Sequence, residues 1–97
     1  MQEFLLFMHN DTTGTPTNSM WDVYLTTLQA RGAFRGGSGI GAGEAIRRDG
    51  AAAAVTEQLV GFIRLQALDL AEARTLVRGN PVYECGGTVE LRALPED

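Results

Sequence analysis

Two short apolar runs, at residues 3–8 (EFLLFM) and 59–65 (LVGFIRL), constrain the fold of this chain most strongly. Each is far shorter than the ~20 apolar residues that cross a bilayer as a helix. Each has the length and continuous hydrophobicity of a central strand that is covered on both faces, although periodicity leaves a buried helical segment open for the first. We therefore predict two strands at the centre of one sheet.

Helical spacing follows the first run. After the turn-forming residues 11–17 (DTTGTPT), apolar side chains recur at intervals typical of one helix face: Met20, Trp21, Tyr24, Leu25 and Leu28. Asn18 or Ser19 offers a side-chain oxygen as an N-cap, and Gly32 fits a C-terminal cap. The pattern predicts a helix over residues 19–31.

A second helix is predicted after the second run. Asp69 and Glu72 form a capping box at its start. The positions expected to face inward are Leu70, Ala73, Leu76 and Val77. Gly79–Asn80–Pro81 ends the helix, because proline cannot continue it.

Two further strands complete the pattern. Glycines alternate at positions 37, 39, 41 and 43, which is a strand period. A strand face without side chains lets another backbone or a ligand approach closely. Asp49–Gly50 is a strong turn signal, and residues 88–94 (TVELRAL) alternate for most of their length, which predicts the last strand.

The resulting order, β-α-β-β-α-β, predicts a ferredoxin-like α+β fold over a single domain, residues 1–97. Its four-stranded antiparallel sheet carries both helices on one face. The other face needs a cover, and a second copy of the chain is the simplest one. We therefore expect a homodimer.

Composition narrows the function classes. The net charge is -4 and all eight basic residues are arginine, so a nucleic-acid or anionic-membrane surface is not expected. The single cysteine, Cys85, excludes an internal disulfide, and the single histidine, His9, leaves too few ligands for a metal site. The N-terminal residues lack the pattern of a signal peptide. We therefore expect a cytoplasmic protein without a cofactor. The absence of lysine and the many alanines fit a GC-rich bacterial genome, so we also expect a bacterial source.

Three segments resemble the YCII-related family, including its DGPF branch, in order and spacing over nearly the whole chain. They are Gly36-Gly37-Ser38 after the first helix, Asp49-Gly50 followed by Glu57-Gln58-Leu59 and Gly61-Phe62, and Asn80-Pro81-Val82-Tyr83-Glu84 before Gly86-Gly87. The resemblance implies a dimeric α+β barrel. Most of the family has no assigned reaction.

Part of that family carries a His–Asp pair suspected of acid/base work. By the resemblance, the histidine position here is Tyr24 and the acidic position is Asn80. The proline and phenylalanine of the DGPF motif are replaced by Ala51 and Ala52. The resemblance therefore implies a degenerate site in this chain.

The predicted topology brings one end of the first strand next to the starts of the third and fourth strands. We expect polar and aromatic groups from distant parts of the sequence to gather at that end: His9, Asp11, Tyr24, Asp49, Asn80, Tyr83 and Cys85. A ligand pocket there would use His9, Tyr24, Asn80 and Tyr83. The competing interpretation is that strand ends and loops are polar because they are solvated.

Two functions remain open from the sequence. The first is a small-molecule-binding or regulatory module with a degenerate YCII-type site. The alternative is a lyase- or hydrolase-type enzyme in which His9 acts as the acid/base group, since histidine exchanges protons near neutral pH. The competing interpretation of Tyr24 is that it belongs to the core. The competing interpretation of His9 is that it is a hydrogen-bonded surface residue.

Overall fold

A computed structural model describes residues 1–96 and contains four strands and three helices in this part of the chain. In chain order they are β1 (Gln2–His9), α1 (Asn18–Ala30), β2 (Phe34–Gly39), β3 (Leu59–Ala67), α2 (Leu70–Thr75), α3 (Pro81–Glu84) and β4 (Val89–Leu94).

The four strands form one antiparallel sheet in the order β2-β3-β1-β4. β1 and β3 are the central strands, as their apolar sequences predicted. The prediction of a ferredoxin-like α+β fold is therefore confirmed, and β2 and β4 are the two edges.

The core lies on one face of the sheet. Alternate residues of β1 and β3 are buried there, and they pack with buried residues of the helices and the loops beside them. The largest of these core side chains are Phe4, Leu6, Met8, Tyr24, Leu28, Ile63, Leu65 and Leu76. The alternation follows from the period of two in a strand, which sends neighbouring side chains to opposite faces.

On the opposite face, here called the open sheet face, no helix formed by residues 1–96 packs on the centre. Leu5, Phe7 and Phe62 are half-buried there, and Val60 is exposed. Phe7 lies directly opposite Phe62 in the β1–β3 register. Ion pairs flank this apolar centre, Glu3 with Arg64 and His9 with Glu90.

The helix boundaries follow local capping chemistry. The Thr17 hydroxyl caps α1 by accepting from the Met20 amide, so the N-cap is one residue earlier than expected. The predicted capping box of α2 forms in part: the Asp69 carboxylate accepts from the Glu72 amide at 2.9 Å, but the Glu72 carboxylate accepts from the Leu68 amide, one residue before the N-cap. Leu70 was expected to face inward but is 46% exposed. α2 ends at Thr75, so Leu70 does not share a continuous helix face with the buried Val77.

The alternating glycines form a shorter strand than expected. β2 ends at Gly39, and a last ladder bond runs from the Ile40 amide to the Val60 carbonyl at 3.0 Å. Gly41 and Gly43 lie beyond it, outside any strand, because β3 offers no residues before Leu59 with which they could pair. At the predicted turn, Asp49–Gly50, the chain bends, with Gly50 at a φ of +79°, but the bend lies within an irregular segment and does not join two paired strands directly.

Candidate ligand-binding cavity

An apolar cavity of about 460 Å³ lies between α1 and the sheet at β2 and β3. Its volume falls within the range of about 300–1,000 Å³ that is usual for small-molecule sites. The residues that line it are Met8, Pro16, Trp21, Leu25, Phe34, Gly37, Ser38, Gly39, Val60, Gly61, Phe62, Ile63 and Val82.

The floor of this cavity is made of glycine. Gly37 lies opposite the buried Ile63, and Gly39 lies opposite Gly61, so all three glycines share the helix-facing side of the sheet. Without side chains at these positions, the sheet surface beneath Trp21 and Leu25 stays open. The cavity therefore exists because three neighbouring sheet positions carry no side chain.

The three glycines differ in how much room surrounds them. A Cβ at Gly37 would lie 2.5 Å from the Phe62 carbonyl oxygen, and a Cβ at Gly61 would lie 2.9 Å from the Met8 methyl carbon. A Cβ at Gly39 would meet only the Val60 carbonyl oxygen, at 3.8 Å. Gly37 is thus fixed by backbone packing, whereas Gly39 has room for a side chain.

The lining determines which ligands the cavity suits. Among the described residues, those that line it are aliphatic, aromatic or glycine, with Ser38 as the one hydroxyl, and none is charged. Ser38 already donates to the Gly39 carbonyl at 2.9 Å. Burying a charged ligand against such walls would leave the charge without a counterion. The arrangement suits a neutral, largely apolar small molecule.

Tyr24 stands behind the cavity rather than in it. Its hydroxyl donates to the Leu76 carbonyl at 2.7 Å, and the side chain is almost fully buried. The Trp21 ring lies edge-on to the Tyr24 ring, with centroids 6.3 Å apart. Tyr24 therefore links α1 to the end of α2 and supports one aromatic wall of the cavity.

Asn80 supports another wall and is fully buried. Its side-chain oxygen accepts from the amides of Val82 and Tyr83, at 3.0 and 3.2 Å, which caps the one-turn helix α3. Its side-chain nitrogen donates to the Met8 sulfur at 3.5 Å. Both Val82 and Met8 line the cavity, so Asn80 fixes two parts of its wall.

The sequence matches the family model of the YCII-related domain over residues 15–96. The chain belongs to the YCII-related family. No curated protein matches it. The match includes α1, the glycine floor and Asn80, and thus most of the cavity of this YCII-related chain.

The two positions that the resemblance aligns with a His–Asp pair, Tyr24 and Asn80, are neighbours in the YCII-related fold. Burial raises the pKa of Tyr24 to about 12, and the nearby Asn80 side chain opposes part of that shift. An amide does not titrate, and a phenol with this pKa keeps its proton at neutral pH. Both groups are therefore neutral at that pH, and each makes its hydrogen bonds to other residues of the fold.

The buried Tyr24 phenol predicts a loss of stability in alkali. The unfolded chain releases this proton near pH 10 and the folded chain near pH 12, so the stabilisation is complete below pH 10 and is lost as the pH rises towards 12. We expect the free energy of unfolding in urea to fall by about 2 kcal/mol over that interval. The chain has no lysine, which keeps the background small.

Two tyrosine variants separate this effect from general alkaline damage. Tyr24→Phe removes the titrating group, so its stability should fall less between pH 10 and 12, whereas Tyr83→Phe should behave like the wild type because Tyr83 is half-exposed. Equal alkaline losses in the wild type and Tyr24→Phe would contradict the assignment.

His9 lies elsewhere. It is on the open sheet face, its Nε2 is 2.6 Å from the Glu90 carboxylate, and its side chain is 16% exposed. It does not line the cavity. The Tyr83 amide bonds to Asn80, but the Tyr83 ring is half-exposed on α3 and is also outside the cavity lining. The structure thus brings Tyr24 and Asn80 together behind the cavity and gives His9 a carboxylate partner of its own.

The other polar residues expected at this end of the sheet have local partners. The Asp11 carboxylate accepts from the Thr88 hydroxyl and amide, at 2.6 and 2.7 Å, and these bonds lower its pKa. The Cys85 carbonyl accepts from the Thr13 amide at 2.9 Å. Asp49 pairs with Arg48 in an exposed segment.

Within residues 1–96, no three His, Cys, Asp or Glu side chains are placed to hold a metal ion. Within the same residues, no helix is long and apolar enough to span a membrane.

The cavity was only partly foreseeable. The alternating glycines predicted a face open to a backbone or a ligand, and Gly37 and Gly39 carry that signal. Gly61 lies in a run of apolar residues that gave no such signal. Met8 and Val82 come from two other elements, β1 and α3, and nothing in their local sequence relates them to one site.

Proposed function

We propose that this YCII-related chain is a single-domain cytosolic homodimer that binds a neutral, largely apolar small molecule in the glycine-floored cavity and carries out no chemistry on it. The observation that carries the proposal is the cavity itself: about 460 Å³ of space, formed by missing side chains and lined by apolar groups. A core position left unfilled costs packing energy, so such a cavity is favoured where a ligand fills it.

The hydrogen bonding of Tyr24 and Asn80, the two positions of the degenerate site, supports binding without catalysis. Tyr24 and Asn80 satisfy their hydrogen bonds within the fold, and their contacts hold Trp21, Met8 and Val82 in place. By the resemblance, part of the family carries a His–Asp pair at these two positions. In this chain, Tyr24 and Asn80 occupy them and support the cavity wall. The proposal therefore assigns the pair a positioning role.

The open sheet face supports the homodimer. Its apolar centre, with Phe7 and Phe62 side by side, is flanked by ion pairs, which is the usual arrangement of an apolar interface core with a polar rim. Two copies joined through this face form the dimeric α+β barrel that the family resemblance implies. The glycine floor of the cavity faces α1, on the side of the sheet away from such an interface.

One observation favours an enzyme as the second candidate. A carboxylate 2.6 Å from an imidazole, as in His9 and Glu90, holds the ring in one orientation. A lyase- or hydrolase-type reaction with His9 as acid/base would then take place at the open sheet face. Loss of ligand binding in a His9→Gln variant that still folds would favour this candidate over the cavity.

Binding to the cavity is tested with Nile red, a neutral and largely apolar fluorophore. Trp21 is the sole tryptophan of the chain and lines the cavity, so bound Nile red should quench its fluorescence by energy transfer. We expect saturable binding, and we expect Gly39→Leu to weaken it at least about 100-fold, because the leucine side chain occupies the cavity.

An exposed residue of α1 supplies the control. Ala30→Leu adds the same side chain outside the cavity lining, so binding should stay within about twofold of the wild type. His9→Gln should also leave binding unchanged. The proposed function is wrong if Nile red does not bind, or if Gly39→Leu binds it as tightly as Ala30→Leu does.

A further inference from the structure

The long connection between β2 and β3, residues 40–58, is here called the β2–β3 segment. It contains no helix or strand, and every residue in it is exposed. The median length of connections in compact domains is about 4–6 residues, and much longer ones without secondary structure are commonly binding loops or lids. The length of the β2–β3 segment therefore favours a binding role.

Both ends of the β2–β3 segment are fixed at the cavity. Gly39, which precedes the segment, and Val60, the second residue after it, line the cavity, and the Ile40 amide donates to the Val60 carbonyl. At the other end, the Asn10 backbone amide and side chain donate to the Gln58 and Glu57 carbonyls, at 2.8 and 3.1 Å. The segment thus leaves and re-enters the sheet beside the cavity.

The segment carries apolar side chains that are exposed to solvent, Ile46 most of all. Ile46 is 84% exposed, and Val55 and Ile40 are 42% and 39% exposed. The radius of gyration, 14.8 Å, exceeds the ~13 Å of a compact domain of about 100 residues, as expected when a segment projects from the body. Burying these aliphatic groups against other apolar surface is favourable.

The backbone of the segment permits such a movement. Gly41 follows its first anchor with nothing within 4 Å of its Cβ position, and Gly50 takes a positive φ at the turn. The residues between these two glycines can reach about 30 Å when extended. That reach is ample to cover the mouth of a cavity of this volume.

Resting on the proposed function, we infer that the β2–β3 segment closes over the occupied cavity and completes its wall, with Ile46 packing against the bound molecule. Gly41 acts as a hinge, and Asn10 keeps the far end anchored. The segment is therefore part of the binding site, and Ile46 slows the escape of the ligand while leaving the fold of the sheet unaffected.

Limited proteolysis with trypsin tests the closure. The chain has no lysine, so trypsin cleaves only at its eight arginines, and Arg47–Arg48 lies in the segment with the Arg48 side chain 94% exposed. We expect saturating Nile red to slow cleavage at Arg47 at least about fivefold, because closure removes the site from solvent. Cleavage at Arg31, at the end of α1, should keep its rate and serves as the internal control.

A pair of variants tests the role of Ile46. Ile46→Ser should abolish most of the protection at Arg47 and raise the dissociation rate of Nile red about five- to tenfold, because the apolar contact with the ligand is lost. Val23→Ser removes an exposed aliphatic side chain from α1, outside the cavity lining, and should change neither measurement.

The outcomes distinguish the two proposals. Absence of Nile red binding would overturn the proposed function and, with it, closure over a ligand. Binding without protection at Arg47, or equal protection at Arg31, would overturn the closure alone. Protection that follows protein concentration rather than Nile red would mean that the segment packs on a second copy, which also overturns the closure.

Discussion

Replacing Phe7 with aspartate is expected to convert the proposed homodimer into folded monomers at micromolar concentration. Phe7 lies at the centre of the open sheet face, half-buried and directly opposite Phe62. A carboxylate there would be buried against apolar groups in the dimer but solvated in the monomer. We expect the dimer to weaken more than about 100-fold, as for a substitution at the centre of an interface.

The monomer should tolerate this substitution because the core lies on the other face. Phe4, Leu6 and Met8 point to the helix-facing side of the sheet and pack in the core. Phe7 lies between Leu6 and Met8 in β1 and points to the opposite side. Phe7→Asp therefore separates association from folding. The melting temperature is expected to fall only to the extent that dimer formation stabilises the protein, and this part depends on protein concentration.

The mass in solution is measured by sedimentation or light scattering across a range of protein concentrations. Val23→Asp is the matched control, because Val23 is 68% exposed on α1 and lies away from the open sheet face. It should keep the wild-type mass. A monomeric wild type at micromolar concentration, or a Phe7→Asp variant that remains dimeric, would contradict an interface built on this face.

Most of the fold could be predicted because its signals are local. The two apolar runs, the capping box at Asp69 and Glu72, and the turn at Asp49–Gly50 each depend on a few adjacent residues whose chemistry permits few conformations. Once the order of elements is known, the ferredoxin-like topology follows from short connections and antiparallel pairing. The family match over residues 15–96 agrees with this derivation.

The errors occur where a neighbour in space decides the structure. The glycine alternation continues past Gly39, yet the strand stops there because its partner β3 begins only at Leu59. The one-turn helix α3 was not predicted, since it is too short for periodicity and depends on the Asn80 cap. Leu70 is exposed because α2 ends before a full apolar face can form.

The site was harder to predict than the fold for a related reason. A cavity is defined by absent atoms, and its lining comes from elements that are distant in the sequence. Glycine alternation indicates where side chains are missing, but it does not say whether a backbone or a ligand fills the space. The pairing of Gly39 with Gly61 and the position of Trp21 above them are properties of the assembled sheet and helix.

Substitution of Asn80 by alanine is expected to have the largest effect on the stability of the monomer. Asn80 is fully buried and makes three hydrogen bonds, two as an acceptor and one as a donor. Alanine leaves the amides of Val82 and Tyr83 without their acceptor and opens a small void. Loss of a helix cap together with unsatisfied buried donors costs about 2–4 kcal/mol, which lowers the melting temperature by about 10–20 °C.

Asn18 provides the matched control for this substitution. It is the first residue of α1, is exposed, and does not cap the helix, because Thr17 does. Asn18→Ala should therefore change the free energy of unfolding by less than about 0.5 kcal/mol. Equal losses in the two variants, measured by urea denaturation, would contradict the structural role of Asn80.

The same substitution should also impair the cavity, which links this buried residue to function. Without Asn80, neither the Met8 sulfur nor the Val82 amide keeps its partner, and both residues line the cavity. We expect Asn80→Ala to weaken Nile red binding at least about tenfold at a temperature where the variant remains folded, because the walls must be ordered on binding. Asn80→Asp keeps an acceptor for both amides but introduces a buried carboxylate that cannot donate to Met8. If Asn80→Ala remained folded and bound Nile red like the wild type, Asn80 would stabilise the fold without shaping the site.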